Sequence, residues 1–246
     1  MADEAITGSG AVSAGWTSRA LLAVACAAVL AGCGSPVAGV AVAPSTGAGP
    51  RPVAVAKLPD LLLSPDQVAN IMGIVVLVIN PAMQGMLQPP SGESTEEDCM
   101  GLLAPAQGSV YAGTGSTGVA TRGLLSPDNA GGTHMVIESV IAFSGPAAAG
   151  KVLAGQTAHW SACSNRTLTV TVAPPGSPPL QVKVGPLMRG NDSISLTDAI
   201  EGGHGLGCQR ALAARSNVII DVAACRDDTT NQAVDVMQAI AGKIPP

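Results

Sequence analysis

Residues 208–225, CQRALAARSNVIIDVAAC, read as two arms of equal length around Ser216-Asn217, with a cysteine at each outer end. A two-residue turn there pairs Arg215 with Val218, and counting outward sets Cys208 opposite Cys225. Facing positions of an antiparallel pair lie about 4.5–5.5 Å apart, within reach of a disulfide. The same register places Cys208, Arg210 and Leu212 on one face with Ile219, Asp221 and Ala223. Arg210 and Asp221 become diagonal neighbours. On an open ribbon such a pair is a solvated contact worth little, and that is the expectation here.

Working outward, the hairpin at 206–225 is expected to end in a helix over 228–243. Ala233, Val236, Met237, Ile240 and Ile244 share one face of it. Asp227 and Asp228 at its start and Lys243 at its end suit the helix dipole. Upstream, residues 193–200 read as a strand, and 168–172 and 180–184 as two more, joined by a Pro-rich turn at 174–179. Ala149, Val152, Leu153, Gln156 and Trp160 recur at helical spacing after a start at Ser144. The Val/Ile-rich stretch 133–143 is a strand, and 80–98 a long loop. Ser64-Pro65-Asp66-Gln67 combines an N-cap, a proline at the first helical position and a capping-box partner. That helix stops at Gly73. Strands clustered among two or three helices give an α+β fold, a twisted, mostly antiparallel sheet flanked by helices.

The N-terminal region reads as an address. Arg19 precedes the apolar run 21–30 (LLAVACAAVL), followed by Leu30-Ala31-Gly32-Cys33, which resembles a bacterial lipobox. The run is too short to span a bilayer, which takes about 20 apolar residues. Cleavage before Cys33 and lipidation of its thiol are the expectation. Residues 1–32 are then a lipoprotein signal peptide, 33–57 a lipidated Pro/Gly-rich tether, and 58–246 a single domain. Asp3 and Glu4 are unusual ahead of a signal and fit a true start further downstream. The membrane is thus one partner, through the anchor at Cys33.

Of the six cysteines, Cys26 leaves with the signal and Cys33 is lipidated. Cys99, Cys163, Cys208 and Cys225 remain. An even number in an exported chain points to disulfides, and no pair has zinc-ligand spacing. With Cys208 and Cys225 joined by the hairpin register, elimination pairs Cys99 with Cys163. No cysteine is left for catalysis.

Composition narrows the function. Across 246 residues, 47% are hydrophobic, 12% charged and 2% aromatic, with a net charge of −5. The acidic balance argues against a nucleic-acid partner, and the aliphatic content argues against a disordered chain. Gly113-Thr114-Gly115-Ser116-Thr117-Gly118 is a literal G-x-G-x-x-G, yet 119–123 after it has no helical period, so it reads as a loop. Ser116 lacks the glycine two residues ahead that a nucleophile elbow needs. His134, His159 and His204 are far apart and read as loop or surface histidines. The acidic run Glu93, Glu96, Glu97 and Asp98 lacks calcium-loop spacing. Tyr111, Phe143 and Trp160 are too few for a stacking platform, and Trp160 reads as core. Asn165-Arg166-Thr167 and Asn191-Asp192-Ser193 match the glycosylation acceptor by chance. No catalytic residue, metal site or cofactor is assigned, and ligand-binding residues are not identifiable.

Several of these features converge. They are Cys99 followed by a proline and Tyr111, Phe143 leading into a helix that ends Trp160-Ser161-Ala162-Cys163, the block Gly207-Cys208-Gln209-Arg210-Ala211-Leu212, and Asn217 through Cys225. Over about 58–246 the chain resembles the PknH-like extracellular, sensor-type domain of mycobacteria, which occurs outside receptor serine/threonine kinases and in stand-alone lipoproteins. The resemblance implies a twisted antiparallel sheet with flanking helices, two disulfides and a cleft for an unidentified ligand. It implies no enzyme. The leading expectation is a lipid-anchored envelope module binding an unknown envelope ligand. The alternatives are a scaffold with a protein partner and no small ligand, and a hydrolase with a dispersed Ser, His and Asp site.

Overall fold

A computed structural model describes residues 51–87, 97–127, 134–171 and 178–245. Its organising element is the hairpin of β8 (Leu206–Arg215) and β9 (Val218–Asp227), ten residues against ten, with Arg215 opposite Val218 and Cys208 opposite Cys225. Ser216 takes the left-handed conformation (φ +52°) that turns the chain. Eight consecutive residues of β9, Val218 to Cys225, are buried, so the strand is covered on both faces.

Around this hairpin the remaining strands are β1 (Val78–Asn80), β2 (Gly118–Leu125), β3 (Met135–Ala142), β4 (Thr167–Val170), β5 (Leu180–Val184), β6 (Met188–Arg189) and β7 (Ser193–Ile200). They form one sheet in the order β1-β2-β3-β9-β8-β7-β5-β4, with β6 beside β7. Every strand pairing is antiparallel. β7 coincides with the expected 193–200. β3 falls within the expected 133–143, and residues 174–177 of the expected Pro-rich turn at 174–179 lie outside the described residues.

Among the described residues five helices flank the sheet: α1 (Leu58–Leu61), α2 (Pro65–Met72), α3 (Gly108–Tyr111), α4 (Pro146–Cys163) and α5 (Gln232–Ala241). α2 is capped as its sequence requires. Gln67 N–H donates to Ser64 Oγ (3.3 Å) and Ser64 N–H to Gln67 Oε1 (2.9 Å). Gly73 closes the helix at φ +67°, a conformation that favours glycine.

One face of the sheet carries α1, α2 and α5 over an aliphatic core that includes Leu58, Met72, Leu124, Val140, Ile220 and Ile240. The other carries α4, α3 and the 3₁₀ turn Glu97–Leu102 over a core that includes Tyr111, Phe143, Trp160, Cys99 and Cys163.

The structure corrects three expectations. α5 begins at Gln232, not Asp228, because the hairpin register continues to Leu206 opposite Asp227, which puts Asp227 in the strand and Asp228 in the turn after it. Its first turn is instead met by a sheet side chain: Gln209 Oε1 accepts from Ala233 N–H (3.0 Å) and Val234 N–H (3.3 Å). Lys243 reaches the carbonyl of Leu62 (2.9 Å), away from its own helix. Second, α4 starts after Gly145 rather than Ser144, with Pro146 as its first residue. Third, β2 begins at Gly118, where no strand was expected.

The last part of the Pro/Gly-rich stretch is held on the domain. Val53 N–H donates to Asn217 Oδ1 (2.7 Å), and Asn217 Nδ2 donates to the carbonyls of Val53 and Phe143 (3.1 Å each). Residues 55–57 form a 3₁₀ turn.

Candidate functional site

The strand lengths create a notch. β1 covers only Gly123 to Leu125 of β2, so the edge of β2 from Val119 to Arg122 has no strand beside it among the described residues. Pro59 of α1 and Leu62 just after it wall this edge, and the turn after β1 walls it with Gln84 and Gly85. Ile79 closes one end. The result is a groove of about 400 Å³ in which, among the described residues, Arg122 is the only charged lining side chain. The turn sits close because Gly123 has no side chain: a Cβ there would come within 2.4 Å of Met83.

Arg122 is positioned by the strand next door. It faces Glu138 across the β2–β3 pairing, with Nη1 3.5 Å from Glu138 Oε1, and it donates to the Leu63 carbonyl. Glu138 Oε2 accepts from Leu63 N–H (3.0 Å). The pair therefore clasps both backbone groups of the residue that links α1 to α2. Glu138 is fully buried, and burial pushes its carboxyl up to about 7 against the opposing pull of Leu63 N–H, Arg122 and Lys243. The Arg122 side chain is about a quarter exposed, so it presents a held guanidinium at the groove wall.

A smaller recess of about 300 Å³ lies at the far end of β5 and β7, lined by groups that include Lys183, Thr197, Asp198 and Asp228. Burial raises Asp198 to about 6, partly offset by the Cys208 N–H that donates to it (3.3 Å).

The Arg210–Asp221 pair is the main departure from the sequence reading. The two are diagonal neighbours as expected, but buried rather than solvated. Nη2 lies 2.6 Å from Oδ1, with the side chains 1% and 3% exposed. Arg210 also donates to the Leu102 carbonyl and stacks over Trp160, 5.2 Å from the ring centre. Asp221 Oδ2 accepts from Ala106 N–H and Tyr111 O–H, both at 2.9 Å. Burial, then the Asp221 charge, hold the Tyr111 phenol well above its ordinary pKa, so it remains a donor. The covering segment 99–111 turns a ribbon surface into an interior.

Of the residues singled out in the sequence, Cys99 and Cys163 are joined with Cα atoms 5.7 Å apart, and Cys208 and Cys225 with Cα atoms 4.0 Å apart. Trp160 is core. His134 precedes β3, His159 lies in α4 and His204 in the β7–β8 turn, so the three do not converge. Among the described residues no three His, Cys, Asp or Glu side chains form a metal cluster. Gly113 and Gly115 lie in the turn before β2. Cys33 and the acidic side chains 93–97 lie outside the described residues. Arg122 and Glu138 were missed. The available signal was a lone acid inside the Val/Ile run of β3 facing a lone base in β2.

Among the described residues no helix is long and apolar enough to cross a membrane. The PknH-like extracellular domain family matches residues 53–243. The chain is 32% identical over 216 residues to serine/threonine-protein kinase PknH of Mycobacterium tuberculosis (strain CDC 1551 / Oshkosh), covering 83% of this chain and 32% of the kinase. It is 31% identical over 206 residues to serine/threonine-protein kinase PknJ of Mycobacterium bovis, covering 80% of this chain and 34% of that one. The chain thus spans about a third of the length of these relatives. The crystal structure of the extracellular domain of PknH from Mycobacterium tuberculosis superposes with a TM-score of 0.71 at 32% identity, covering 79% of this chain and 98% of that domain. The antiparallel sheet with its flanking helices is therefore the fold of that extracellular domain, and the chain belongs to the PknH-like extracellular domain family.

Proposed function

We propose that the chain is a lipid-anchored, extracytoplasmic sensor-type module, tied to the membrane through Cys33, that binds an envelope ligand in the groove at the open edge of β2. The observation that carries the reading is Arg122, among the described residues the single charged side chain lining the groove, held by a buried carboxylate. Apolar walls with one fixed, partly desolvated guanidinium suit a molecule with an apolar body and one anionic group. The lipobox-like Leu30-Ala31-Gly32-Cys33 supports the anchor. The family to which the chain belongs supports display outside the cytoplasm. No catalytic role is proposed.

Thermal unfolding of the full chain with fractionated envelope lipids and glycans tests the binding. Saturation at a hundredfold excess over Kd raises Tm by about 5–10 °C for a domain of this size. Gln84→Trp, which fills the groove from an exposed position, abolishes the rise while leaving the unliganded Tm unchanged. If no fraction stabilises the wild type, a partner-binding scaffold without a small ligand replaces this reading. The intact mass of the membrane-extracted protein tests the acylation of Cys33 separately.

A further inference from the structure

Residues 67–92 contain no Asp, Glu, Lys or Arg, a long gap for this chain. Within it, Val75 is 99% exposed, Val76 44%, Val78 47% and Ile79 48%. These are four of the six large exposed hydrophobic side chains among the described residues. Leu77, between them, is buried and holds the segment to the aliphatic core. The stretch is the outer edge of the sheet, since β1 is the first strand in the order.

We infer that this edge is a membrane-contact surface, dipping into the interface of the bilayer to which Cys33 ties the chain. The inference rests on the anchor reading for its physical setting. Three observations favour lipid. The segment carries no charged side chain of its own into the interface. The reach is sufficient: the 19 residues from 34 to 52 span up to about 65 Å when extended. The chain meets the domain where Val55 packs on Gly118, and the apolar edge lies at the other end of β2, where Val78 faces Leu125, about 24 Å along the strand. Finally, β1 pairs over only three residues, far too short an edge for a second copy to bury the roughly 800 Å² per partner of a stable interface.

The test holds the chain at a bilayer whether or not Cys33 is acylated in the cell. With Cys26→Ser, and with Cys99, Cys163, Cys208 and Cys225 in disulfides, Cys33 is the free thiol. It is coupled either to a maleimide-headgroup lipid in phosphatidylcholine vesicles or to a soluble maleimide. Hydrogen exchange is then compared over residues 74–80. The inference expects about tenfold slower exchange on vesicles than in the soluble form. Val75→Asp/Val76→Asp, both outside strands, returns it to the soluble rate with 218–222 unchanged. Equal exchange in the two forms overturns the inference and leaves the anchor reading intact. So does a slowing in the soluble form that grows with protein concentration, because a second copy then covers the edge. An unacylated Cys33 in the native protein removes the anchor and leaves this measurement decisive. Should the double variant unfold, the comparison of the two wild-type forms still decides.

Discussion

The two faces of the sheet are built by different means. Under α1, α2 and α5 the core is Leu, Val, Ile, Met and Ala, with no aromatic side chain and no cysteine. Across the sheet lie Tyr111, Phe143 and Trp160, the Cys99–Cys163 disulfide, and the Arg210–Asp221 pair. The difference follows from the covering elements. α2 and α5 present apolar stripes to the sheet, and burial of aliphatic area suffices. The second face is covered partly by a 3₁₀ turn and the four-residue α3, which bring little apolar area, and by an Ala/Gly-rich α4. A covalent link and charged hydrogen bonds hold that cover in place. Three of the pair's buried hydrogen bonds reach the cover, at the Leu102 carbonyl, the Ala106 N–H and the Tyr111 hydroxyl.

Breaking one half of the ion pair has the largest expected effect. Arg210→Met leaves Asp221 buried without its countercharge and costs about 3–5 kcal/mol in urea unfolding. Arg210→Met with Asp221→Leu recovers part of the loss. A single-variant cost under 1 kcal/mol would mean that the cover is held by packing alone. The disulfides rank next. Removing Cys99–Cys163 by paired serine substitution frees a 64-residue separation and costs about 4 kcal/mol. Removing Cys208–Cys225, separation 17, costs about 3 kcal/mol and leaves the hairpin register in place. Non-reducing peptide mapping should recover these two pairs; a 99–208 link would contradict the register.

Buried carboxylates mark both faces, Glu138 on the aliphatic one and Asp198 on the other. Their folded pKa values, about 7 and about 6, lie above the ordinary 4.5 and 3.8. In that window the folded state binds more protons than the unfolded one. The associated stability is therefore complete below pH 4 and is lost as pH rises through 6 and 7. Glu138 accounts for up to about 3 kcal/mol of this decline. Glu138→Gln keeps an acceptor for Leu63 N–H and flattens that part of the profile, read as Tm against pH. The smallest effect is local to the aliphatic face: Ser64→Ala removes the α2 cap and costs about 1 kcal/mol by urea unfolding.

The sequence was most legible where local rules and tertiary packing agree. The β8–β9 register follows from arm length and the Ser216-Asn217 turn, and α2 from its capping box. Legibility fails where a neighbour changes a residue's setting. β2 escapes detection because Gly118 and Gly123 interrupt its pattern, and their missing side chains are replaced by Val55 and Met83 from elsewhere in the chain. Arg210 and Asp221 look solvated until segment 99–111 is laid over them. Asp227 and Asp228 suit a helix start in isolation, yet the longer β8–β9 pairing takes that position and Gln209 caps α5. The groove was not legible at all, because it arises from β1 being shorter than β2.

Native mass spectrometry of the membrane-extracted chain tests the central claim most directly. The account expects acylated Cys33, two intact disulfides and a further non-covalent mass, retained by the wild type and absent from Gln84→Trp. Wild type and variant with the same ligand-free mass, both folded, would contradict the claim that the Arg122 groove is a binding site.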